Sequence, residues 1–576
     1  MLTKEWVPLT LQGSIQILSV VAIVLVVGIP LGGYLYRVFT GQRSLLEFVY
    51  APFERVLYRL IGVNPVVEMD WKAYIKSLLL VNLVMMLFAY LIFRTMEYLP
   101  LNPDHMKSMP WDLAFNTAAS FITNTNWQNY GGEASMTYLG QMMGITYLQF
   151  TSAATGFVAA IAVVRGVVND KSRYIGNFWV DFVRVHTRVL LPFAFVAAVV
   201  LVGLGLPETL LGAQTVHTLQ GTVQTISRGP VASLEAIKEL GTNGGGFFNA
   251  NSAHPFEDPS ALTTVIEIFL MALLPTALIA TFGKFLRNRR QATVLYVFLT
   301  GMLLAGAFLV YGSEAAGNPI LQHMLGIAGP NMEGKEVRFG VPLSSLFVAV
   351  TTAYTTGAVN TMHDSLTPLG GFVPLLFMMF NMVFGGKGVG LLNIIMFLII
   401  TVFLSGLMVG RTPEIFGKKI EAREIKLATI AMLVHPFVIL VPTAIAVATK
   451  TGVSSMANPY LHGFSEVLYA FSSAAANNGS AFAGLNGNTT FYNVSLGLVM
   501  LLGRYISIIA MFAIAGSLAN KTVIPDSPGT LKTDTFSFGA IFVAVVIIVG
   551  ALTFFPALAI GPIGEHIQMW AGQLSQ

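Results

Sequence analysis

The chain contains no cysteine, and only 10% of its 576 residues are charged. The absence of thiols excludes disulfides, thiolate-bound metals and cysteine-based redox chemistry. Soluble proteins carry about 25% charged residues, so the shortage of charge argues against a soluble globular fold. The formal net charge of +4 does not indicate a nucleic-acid partner, because the basic residues are confined to segments that flank apolar runs.

Hydrophobic residues make up 55% of the chain, and they are concentrated in runs long enough to cross about 30 Å of hydrocarbon as helices. The sequence therefore predicts an all-α polytopic membrane protein that lies in a lipid bilayer. Ten spans are predicted, at 15–36, 75–94, 136–164, 188–206, 262–286, 292–311, 374–410, 427–448, 491–519 and 537–560. The first run lacks the basic start and the cleavage site of a signal peptide, so we interpret it as a retained helix.

The distribution of Lys and Arg predicts the orientation of these spans. Most of the 32 basic residues fall in alternate connections, namely 37–72, 165–188, 283–291, 411–426 and 520–535. Because cytoplasmic loops carry an excess of Lys and Arg, these connections are predicted to be cytoplasmic. Both chain termini are then predicted to be extracytoplasmic.

Four outer segments share one pattern. They read AFNTAASFITNTNWQ (114–128), LEAIKELGTNGGGFF (234–248), SLFVAVTTAYTTGAVN (345–360) and VLYAFSSAAANNGSAF (467–482). A short apolar segment is followed by Thr or Asn and, in three of them, by Gly. Aligned on that last position, Thr125, Gly244, Gly357 and Gly479 fall in register at near-constant spacing, which indicates a fourfold internal repeat.

The repeat predicts how the chain is divided. Each unit consists of a span, a short helix, a polar loop and a second span, and one extra span lies at each end of the chain. The predicted units are 1–70 (first span and cytoplasmic loop), 71–165 (repeat 1), 186–290 (repeat 2), 291–411 (repeat 3, with a broken second helix), 425–520 (repeat 4) and 535–576 (last span).

The short apolar segments, of about 10–12 residues, suit re-entrant half-helices because a full crossing needs about 20. Irregular backbone at membrane depth is tolerated only where it is buried or lines an aqueous cavity. Rings of backbone carbonyls there can replace the hydration shell of K⁺. Ordinary caps and turns are the alternative, but four matching copies favour a filter. Its predicted residues are Thr123, Asn124, Thr125, Asn126, Thr242, Asn243, Gly244, Gly245, Thr355, Thr356, Gly357, Asn477, Asn478 and Gly479.

Bulky side chains stand beside the predicted filter. Glycine lets the backbone turn carbonyls inward and leaves the pore open, but it does not hold them in place. We expect Trp127, Gln128, Phe247 and Phe248 to support the loops from behind and fix the diameter of the ring.

One lysine lies inside an apolar run. Lys387 is part of GGKGVG within 374–410, and a straight helix over that run would be about 55 Å long. We therefore predict two half-helices joined by an intramembrane loop. A lysine at this depth costs about 2.5–3.5 kcal/mol, so Gly386, Lys387 and Gly388 are candidates for a gate below the filter. A purely bracing role for Lys387 is the alternative.

Other polar residues in apolar segments have weaker signals. Arg504 either faces the bundle or braces it, and Arg411 is expected to anchor the end of its span to headgroups. We expect Glu267 to lie at the membrane interface or to cap a helix. His186 and His435 have no clustered partners and are interpreted as structural.

The loops TNTNWQ, GTNGGGFFN, TTGAVN and AANNGSAF resemble the four filter loops of the KdpA family of bacterial potassium-transport subunits. More distantly they are similar to the Trk/Ktr/HKT transporters. The resemblance covers nearly the whole chain. The first loop of this chain departs from the pattern, because Thr125 stands where the other three loops have glycine.

The resemblance implies a function in the bacterial plasma membrane. Extracytoplasmic K⁺ would pass through the filter and then through an intramembrane tunnel to a P-type ATPase subunit. Two small single-span subunits would complete the complex, making the partners KdpB-, KdpC- and KdpF-like. K⁺ would be the only metal, at the filter residues, and no cofactor is expected.

The sequence has neither a DKTGT phosphorylation motif nor a GxxxxGK[ST] phosphate loop, so we expect no enzyme activity from this chain alone. The first alternative function is a Trk/Ktr-like channel subunit gated by a cytosolic nucleotide-binding ring. The broken span and the two extra spans favour the pump subunit. The second alternative, a membrane scaffold without transport, has no use for four repeated glycine-bearing loops.

Overall fold

The computed structural model describes residues 9–45, 47–327, 329–525 and 530–572. Helices dominate it. In chain order they are α1 Leu11–Thr40, α2 Glu47–Leu60, α3 Trp71–Thr95, α4 Trp111–Ile122, α5 Gly132–Ser135, α6 Tyr147–Val168, α7 Phe178–Arg184, α8 Leu191–Gly203, α9 Val231–Leu240, α10 Ala261–Phe285, α11 Arg289–Ala316, α12 Pro319–Leu325, α13 Gly340–Ala353, α14 Pro368–Phe380, α15 Val389–Val409, α16 Ala422–Ala448, α17 Lys450–Val453, α18 Tyr460–Ala476, α19 Thr490–Ala519, α20 Phe536–Leu558 and α21 Gly564–Trp570.

Strands are short and pair only as antiparallel couples in the described part of the chain. They are β1 Met69–Asp70, β2 Tyr174–Gly176, β3 Gln214–His217, β4 Val223–Ile226, β5 Glu414–Ile415 and β6 Lys418–Lys419. β1 pairs with β2, β3 with β4, and β5 with β6. Ile175 of β2 and Ile415 of β5 are buried in the apolar core, whereas β3 and β4 are largely exposed.

Ten helical segments of the described residues are long and apolar enough to cross a membrane. Each overlaps one of the ten predicted spans, so the all-α polytopic fold is confirmed, although the predicted span 374–410 is matched only over Val389–Val409. The segments are Leu11–Thr40, Trp71–Tyr98, Gly140–Val168, Phe178–Gly203, Ala261–Phe285, Arg289–Leu325, Val389–Val409, Ala422–Ala448, Thr490–Ala519 and Phe536–Trp570. The repeat bounds stay predictions, and the two chain ends, with their predicted orientation, lie outside the described residues.

Local sequence explains where several of these helices begin. The side chain of Ser260 accepts a hydrogen bond from the Thr263 amide at the start of α10. Glu421 and Glu424 form a reciprocal capping box at the start of α16. Each satisfies backbone amides that the first helical turn leaves without partners, and so fixes where the apolar segment begins.

The predicted run 374–410 is broken, as expected. α14 ends at Phe380 with Asn381 in the left-handed conformation, and α15 begins at Val389 after Gly388 at φ +83°. Gly385 and Gly390 pack backbone to backbone, and a Cβ added to Gly385 would lie closer than 3.0 Å to the Gly390 Cα. The segment between the two half-helices is therefore a compact turn inside the protein.

Four shorter helices precede the four polar loops. α4 and α9 have 12 and 10 residues, as the sequence predicts, whereas α13 and α18 are longer, with 14 and 17. Nearly all of their side chains are buried. The long helix α6 packs against α4 and α9, and α10 packs against α9 and α13. More than four fifths of the apolar windows of α6 and α10 are buried. The loops that follow the short helices therefore lie at the centre of the molecule.

Candidate functional site

The four polar loops close into one ring. At three of the four joints a loop glycine packs against the carbonyl oxygen of the next loop, so closely that an added Cβ would lie within 3.0 Å of that oxygen. The pairs are Gly244 with Thr356, Gly357 with Asn478, and Gly479 with Thr125. At the fourth joint, Nδ2 of Asn124 donates a hydrogen bond to the carbonyl oxygen of Thr242 over 2.6 Å. The loops therefore contact one another in chain order around a single axis.

The register of the first loop differs from the sequence alignment by one residue. In the other loops, a left-handed residue stands two positions before the left-handed ring glycine, as Thr242 does before Gly244. In the first loop, this pair is Asn124 and Asn126, at φ +63° and +58°. Asn126 therefore occupies the glycine position, and the prediction that Thr125 does so is wrong. Asparagine tolerates the left-handed region. The pattern of Thr and Asn in the sequence did not show which of the two asparagines stands at the glycine position.

The remaining contacts agree with this register. The Thr125 amide donates to the carbonyl of Ser120, just as the Asn243 amide donates to that of Lys238. The Thr125 hydroxyl lies 2.7 Å from that of Thr123 and accepts a hydrogen bond from Asn477 Nδ2 at 3.0 Å. Thr125 is thus equivalent to Asn243, Thr356 and Asn478.

The site has three layers along its axis. The outer layer, Asn126, Gly244, Gly357 and Gly479, lines the floor of an open vestibule of about 930 Å³. The middle layer is Thr125, Asn243, Thr356 and Asn478, whose carbonyl oxygens accept no hydrogen bond from the described residues. The inner layer is Asn124, Thr242, Thr355 and Asn477. Unbonded carbonyls in a closed ring are suited to replace the water around a dehydrated monovalent cation.

Backbone strain marks the inner layer. Thr242 and Thr355 are β-branched, yet they lie at φ +45° and +46°. Such residues cost about 1–3 kcal/mol and persist only where the surroundings enforce them. The strain therefore indicates a preorganised loop.

The predicted supporting residues hold the loops from outside. Gln128 donates to the carbonyl of Gly246 and accepts from its amide, both over 3.0 Å, and so ties the first loop to the second. Phe247 and Phe248 are buried, and Phe248 stacks on the ring of His254. Trp127 is buried in the apolar core. The supporting role of these four side chains stays a prediction.

Some filter oxygens are turned to the scaffold instead of the axis. The carbonyl of Gly245 accepts from Gln149 Nε2 at 2.8 Å, and that of Gly244 accepts from Asn251 Nδ2 at 2.7 Å. Gln149 and Asn251 were not singled out from the sequence. Asn251 stands in the FFNANS segment beside the glycine run, and this proximity was the one available signal.

The GGKGVG turn lies directly beneath two of the loops. The Lys387 amide donates to the Thr242 hydroxyl over 3.1 Å. A Cβ on Gly386 would lie within 3.0 Å of the Thr355 hydroxyl, and one on Gly388 within 3.0 Å of the Gly156 carbonyl of α6. The Lys387 side chain is buried, and its Nζ has no hydrogen-bond partner among the described residues. The gate candidates therefore lie at the inner end of the site.

Arg504 lies beside this turn, and Arg411 does not. Arg504 Nη2 donates to the carbonyl of Ser152 over 3.2 Å and lies 3.0 Å from where a Gly156 Cβ would stand. Gly156 thus lies between the backbone of Lys387 and the guanidinium group of Arg504. Arg411 is exposed just after α15, where the sequence predicted an anchoring role.

Glu267 is not where the sequence predicted it. It is neither interfacial nor a cap, since Ser260 caps α10 and Glu267 is fully buried beside Glu235 and Glu239 of α9. The position one turn into a span suggested exposure, but α9 re-enters the bundle and covers it. The charged residues of EAIKEL (235–240) were the missed signal, because they belong to a half-helix buried in an apolar chain.

A small side cavity opens beside the inner layer. Its volume is about 50 Å³, and its polar lining residues are Asn381, Asn393, Asn477, His435, Ser507 and Thr553. His435 Nε2 lies 3.0 Å from the carbonyl of Met378. His186 instead lies 2.7 Å from the Phe182 carbonyl through Nδ1, in keeping with a structural role. The grouping of three asparagines near His435 arises from the helix break and could not be seen in the sequence.

A fold of ten spans around four converging half-helix loops, with a ring of unbonded carbonyls, defines a four-loop cation pore. The potassium transporter TrkH from Vibrio parahaemolyticus has a similar fold, with a TM-score of 0.52 and 14% identity, covering 87% of this chain and 98% of that one. The sequence belongs to the KdpA family, Potassium-transporting ATPase A subunit, whose family model matches residues 18–567.

Two relatives illustrate the similarity. The chain is 70% identical to the potassium-transporting ATPase potassium-binding subunit of Alicyclobacillus acidocaldarius subsp. acidocaldarius, over 97% of this chain and 100% of that protein. It is 54% identical to the protein of the same name from Caldanaerobacter subterraneus subsp. tengcongensis, again over 97% of this chain and 100% of that protein.

Proposed function

We propose that this chain is the potassium-binding, ion-conducting subunit of an ATP-driven K⁺ uptake complex in the bacterial plasma membrane. Extracytoplasmic K⁺ enters the vestibule, loses its water in the ring of carbonyls and moves sideways to a P-type ATPase partner. The observation that carries this proposal is the closure of the ring, in which three glycines each pack against the carbonyl of the next loop.

The ring is suited to K⁺ because its ligands are neutral and fixed. Backbone carbonyls supply the oxygens. Glycine at three outer positions leaves room for the backbone of the neighbouring loop. The clamp between Gln128 and Gly246 keeps loops one and two at a constant separation. The ring therefore holds its diameter when an ion leaves.

The inner end of the filter favours a sideways path. The Lys387 turn contacts Thr242 at the inner end of the filter, and we assign to Lys387 and Arg504 the barrier to straight passage, because positive charges near the path would oppose K⁺ by a few kcal/mol at an effective dielectric of about 20. To the side, the cavity at Asn477 and His435 offers amide, imidazole and hydroxyl groups. An ion leaving the inner layer meets lower electrostatic resistance there.

Family membership favours the pump subunit over the alternative, a channel gated by a cytosolic nucleotide-binding ring. The likeness to TrkH concerns the fold and does not bear on that choice. The relatives are named as subunits of a potassium-transporting ATPase. ATP hydrolysis is accordingly assigned to a KdpB-like partner, with KdpC- and KdpF-like small subunits beside it.

The substitution Gly244→Asp tests the filter. A Cβ there meets the Thr356 carbonyl, and φ is +90°, so the carboxylate distorts the ring and adds charge to it. We expect the K⁺ concentration for half-maximal uptake by the assembled complex to rise at least tenfold, with weaker discrimination against Na⁺. Gly221→Asp is the matched control, since Gly221 has φ +82° and nothing within 4 Å. Unchanged K⁺ kinetics and selectivity in Gly244→Asp would contradict the filter assignment.

A further inference from the structure

A closed network of charged side chains lies behind the second filter loop. Lys238 Nζ donates to both carboxylate oxygens of Glu235 over 3.0 Å, to Ser252 Oγ over 2.8 Å and to Glu257 Oε2 over 2.7 Å. All of these side chains are fully buried. The three N–H groups of the ammonium group are therefore all used in hydrogen bonds to Glu235, Ser252 and Glu257.

Further carboxylates in this network have oxygens without a hydrogen-bond donor. Both oxygens of Glu239 and both of Glu267 have no hydrogen-bond partner in the described chain, and neither has Oδ1 of Asp258. Lys238 approaches one Glu239 oxygen only at 3.4 Å. Glu267 comes from a different helix, α10, and its fully buried side chain points at Glu235 and Glu239, with one oxygen of each of the three lying within 4.8 Å of the others.

The charges in this network do not balance. Five carboxylates, Glu235, Glu239, Glu257, Asp258 and Glu267, face one buried cation, Lys238. The neighbouring Arg338 donates to the backbone carbonyls of Asp258 and Ala253 and pairs with Glu336, so its guanidinium makes no hydrogen bond to these five carboxylates. An uncompensated carboxylate in a dry interior costs several kcal/mol. The free oxygens therefore call for further positive charge, carried either by protons or by a bound cation.

We propose that Glu235, Glu239 and Glu267 form a binding site for a hard divalent cation, Ca²⁺ or Mg²⁺, separate from the filter. Carboxylate oxygens are the preferred ligands of both ions, and their bond lengths place ligands at most about 4 Å apart for Mg²⁺ and about 5 Å apart for Ca²⁺. Each of the three carboxylates has one oxygen within 4.8 Å of the others, which satisfies the requirement of Ca²⁺. A divalent ion also neutralises more of the negative charge of these carboxylates than K⁺ does.

This site is coupled to the filter through the backbone. The Lys238 carbonyl accepts from the Asn243 amide at 2.9 Å and from the Gly244 amide at 3.2 Å, and the Glu239 carbonyl accepts from the Thr242 amide at 3.0 Å. Glu257 Oε1 accepts from the Phe248 amide at 2.7 Å. A cation that fixes α9 therefore fixes both sides of the second loop.

The test measures metal content in the assembled complex, purified without nucleotide in buffers containing Ca²⁺ and Mg²⁺. Mass spectrometry of the metals compares wild type with the double substitution Glu239→Gln/Glu267→Gln. Because the partner subunits are identical in both samples, the difference reports on this chain. Glu333→Gln, at an exposed glutamate, is the matched control, and Glu267→Gln alone replaces the double variant if assembly fails.

We expect wild type and the control to retain one more divalent ion per complex than the variant. Because the site is closed to solvent, that ion should leave only during long incubation with chelator. Its loss should lower the melting temperature and raise the K⁺ concentration for half-maximal uptake severalfold. Equal metal content in wild type and variant would overturn the proposal. The proposal would also be overturned if chelator left the melting temperature of the wild type unchanged while a lower pH raised it. Protons would then balance the carboxylates.

Discussion

At the scale of single residues, the ring depends on backbone conformations that few side chains accept. Gly244, Gly357 and Gly479 have φ between +90° and +103°, and each also lies against a neighbouring carbonyl. Asn126 is the fourth member, at φ +58°. Its side-chain Nδ2 donates to Asn243 Oδ1 over 3.3 Å, and its Oδ1 accepts from Gln149 Nε2 over 3.4 Å, so both hydrogen bonds are long. The first loop thus keeps the conformation without glycine.

The substitution Asn126→Val tests this register. A β-branched residue in the left-handed region costs about 1–3 kcal/mol, and the contacts to Asn243 and Gln149 are lost as well. We expect K⁺ affinity to fall about tenfold. Thr125→Val, one residue earlier, removes a hydroxyl but keeps an ordinary backbone conformation, so its effect should be smaller. K⁺ uptake kinetics of the two variants decide the matter, and a larger loss in Thr125→Val would restore the register read from the sequence.

The residues of the filter could be predicted, but their exact partners could not. Repetition of Thr, Asn and Gly after short apolar segments selects fourteen residues, and these include the twelve of the three layers. Thr123 and Gly245 lie outside the layers, and the Gly245 carbonyl accepts from Gln149. Asn126 was misaligned because Asn and Gly both accept left-handed backbone, and a pattern based on residue type does not distinguish them. Asn251 and Gln149 escaped notice because they reach the loops from other segments.

At the scale of elements, helix length was the informative quantity. The run 374–410 is too long for one crossing, and the structure breaks it at Asn381–Gly388. The length of the run does not predict which part of the molecule the turn contacts. Contacts of Gly386 and Lys387 with Thr355 and Thr242 place it under the filter.

Removing the charge of this turn tests its role as a barrier. A pump that let K⁺ leak straight through would dissipate its own gradient. Lys387→Ala removes a repulsion of a few kcal/mol, so we expect passive K⁺ flux into liposomes without ATP to rise tenfold or more. The exposed Lys426→Ala is the matched control. A variant as tight and as well coupled as wild type would mean that Lys387 only braces the fold.

Within the described residues, α21 is attached to α18 by an ionic bridge. His462 lies between Asp364 and Glu565, at 2.9 and 2.8 Å. Burial alone would lower the pKa of His462, but hydrogen bonds from the imidazole to the two carboxylates raise it to about 10. Since the unfolded value is about 6.5, the bridge contributes stability that is complete below that pH and is lost as pH rises through about 10.

The substitution His462→Gln should therefore lower the melting temperature at pH 7, and the difference from wild type should shrink as pH rises past 10. His217→Gln, at an exposed histidine, is the control and should change little at either pH. Thermal unfolding monitored by tryptophan fluorescence provides the measurement. A difference that is constant across this pH range would show that the imidazolium charge is not what stabilises α21.

At the scale of the whole molecule, the sequence predicted the fold because a membrane restricts backbone to few arrangements. Hydropathy gave the ten spans, and the four repeated loops gave their common axis. The carboxylate network behind the second loop could not be predicted in this way. Glu235, Lys238 and Glu239 have the composition of a surface helix, and only the packing of α10 over α9 makes them interior.

The central claim is that a dehydrated K⁺ is bound by the middle layer of carbonyls. Locating the ion directly tests it: cryo-electron microscopy of the assembled complex in K⁺ and in Na⁺, together with anomalous scattering from Tl⁺, a heavy substitute for K⁺. We predict density on the axis, within coordination distance of the carbonyls of Thr125, Asn243, Thr356 and Asn478, strong in K⁺ or Tl⁺ and weak in Na⁺. An empty axis, or equal density in both salts, would contradict the account.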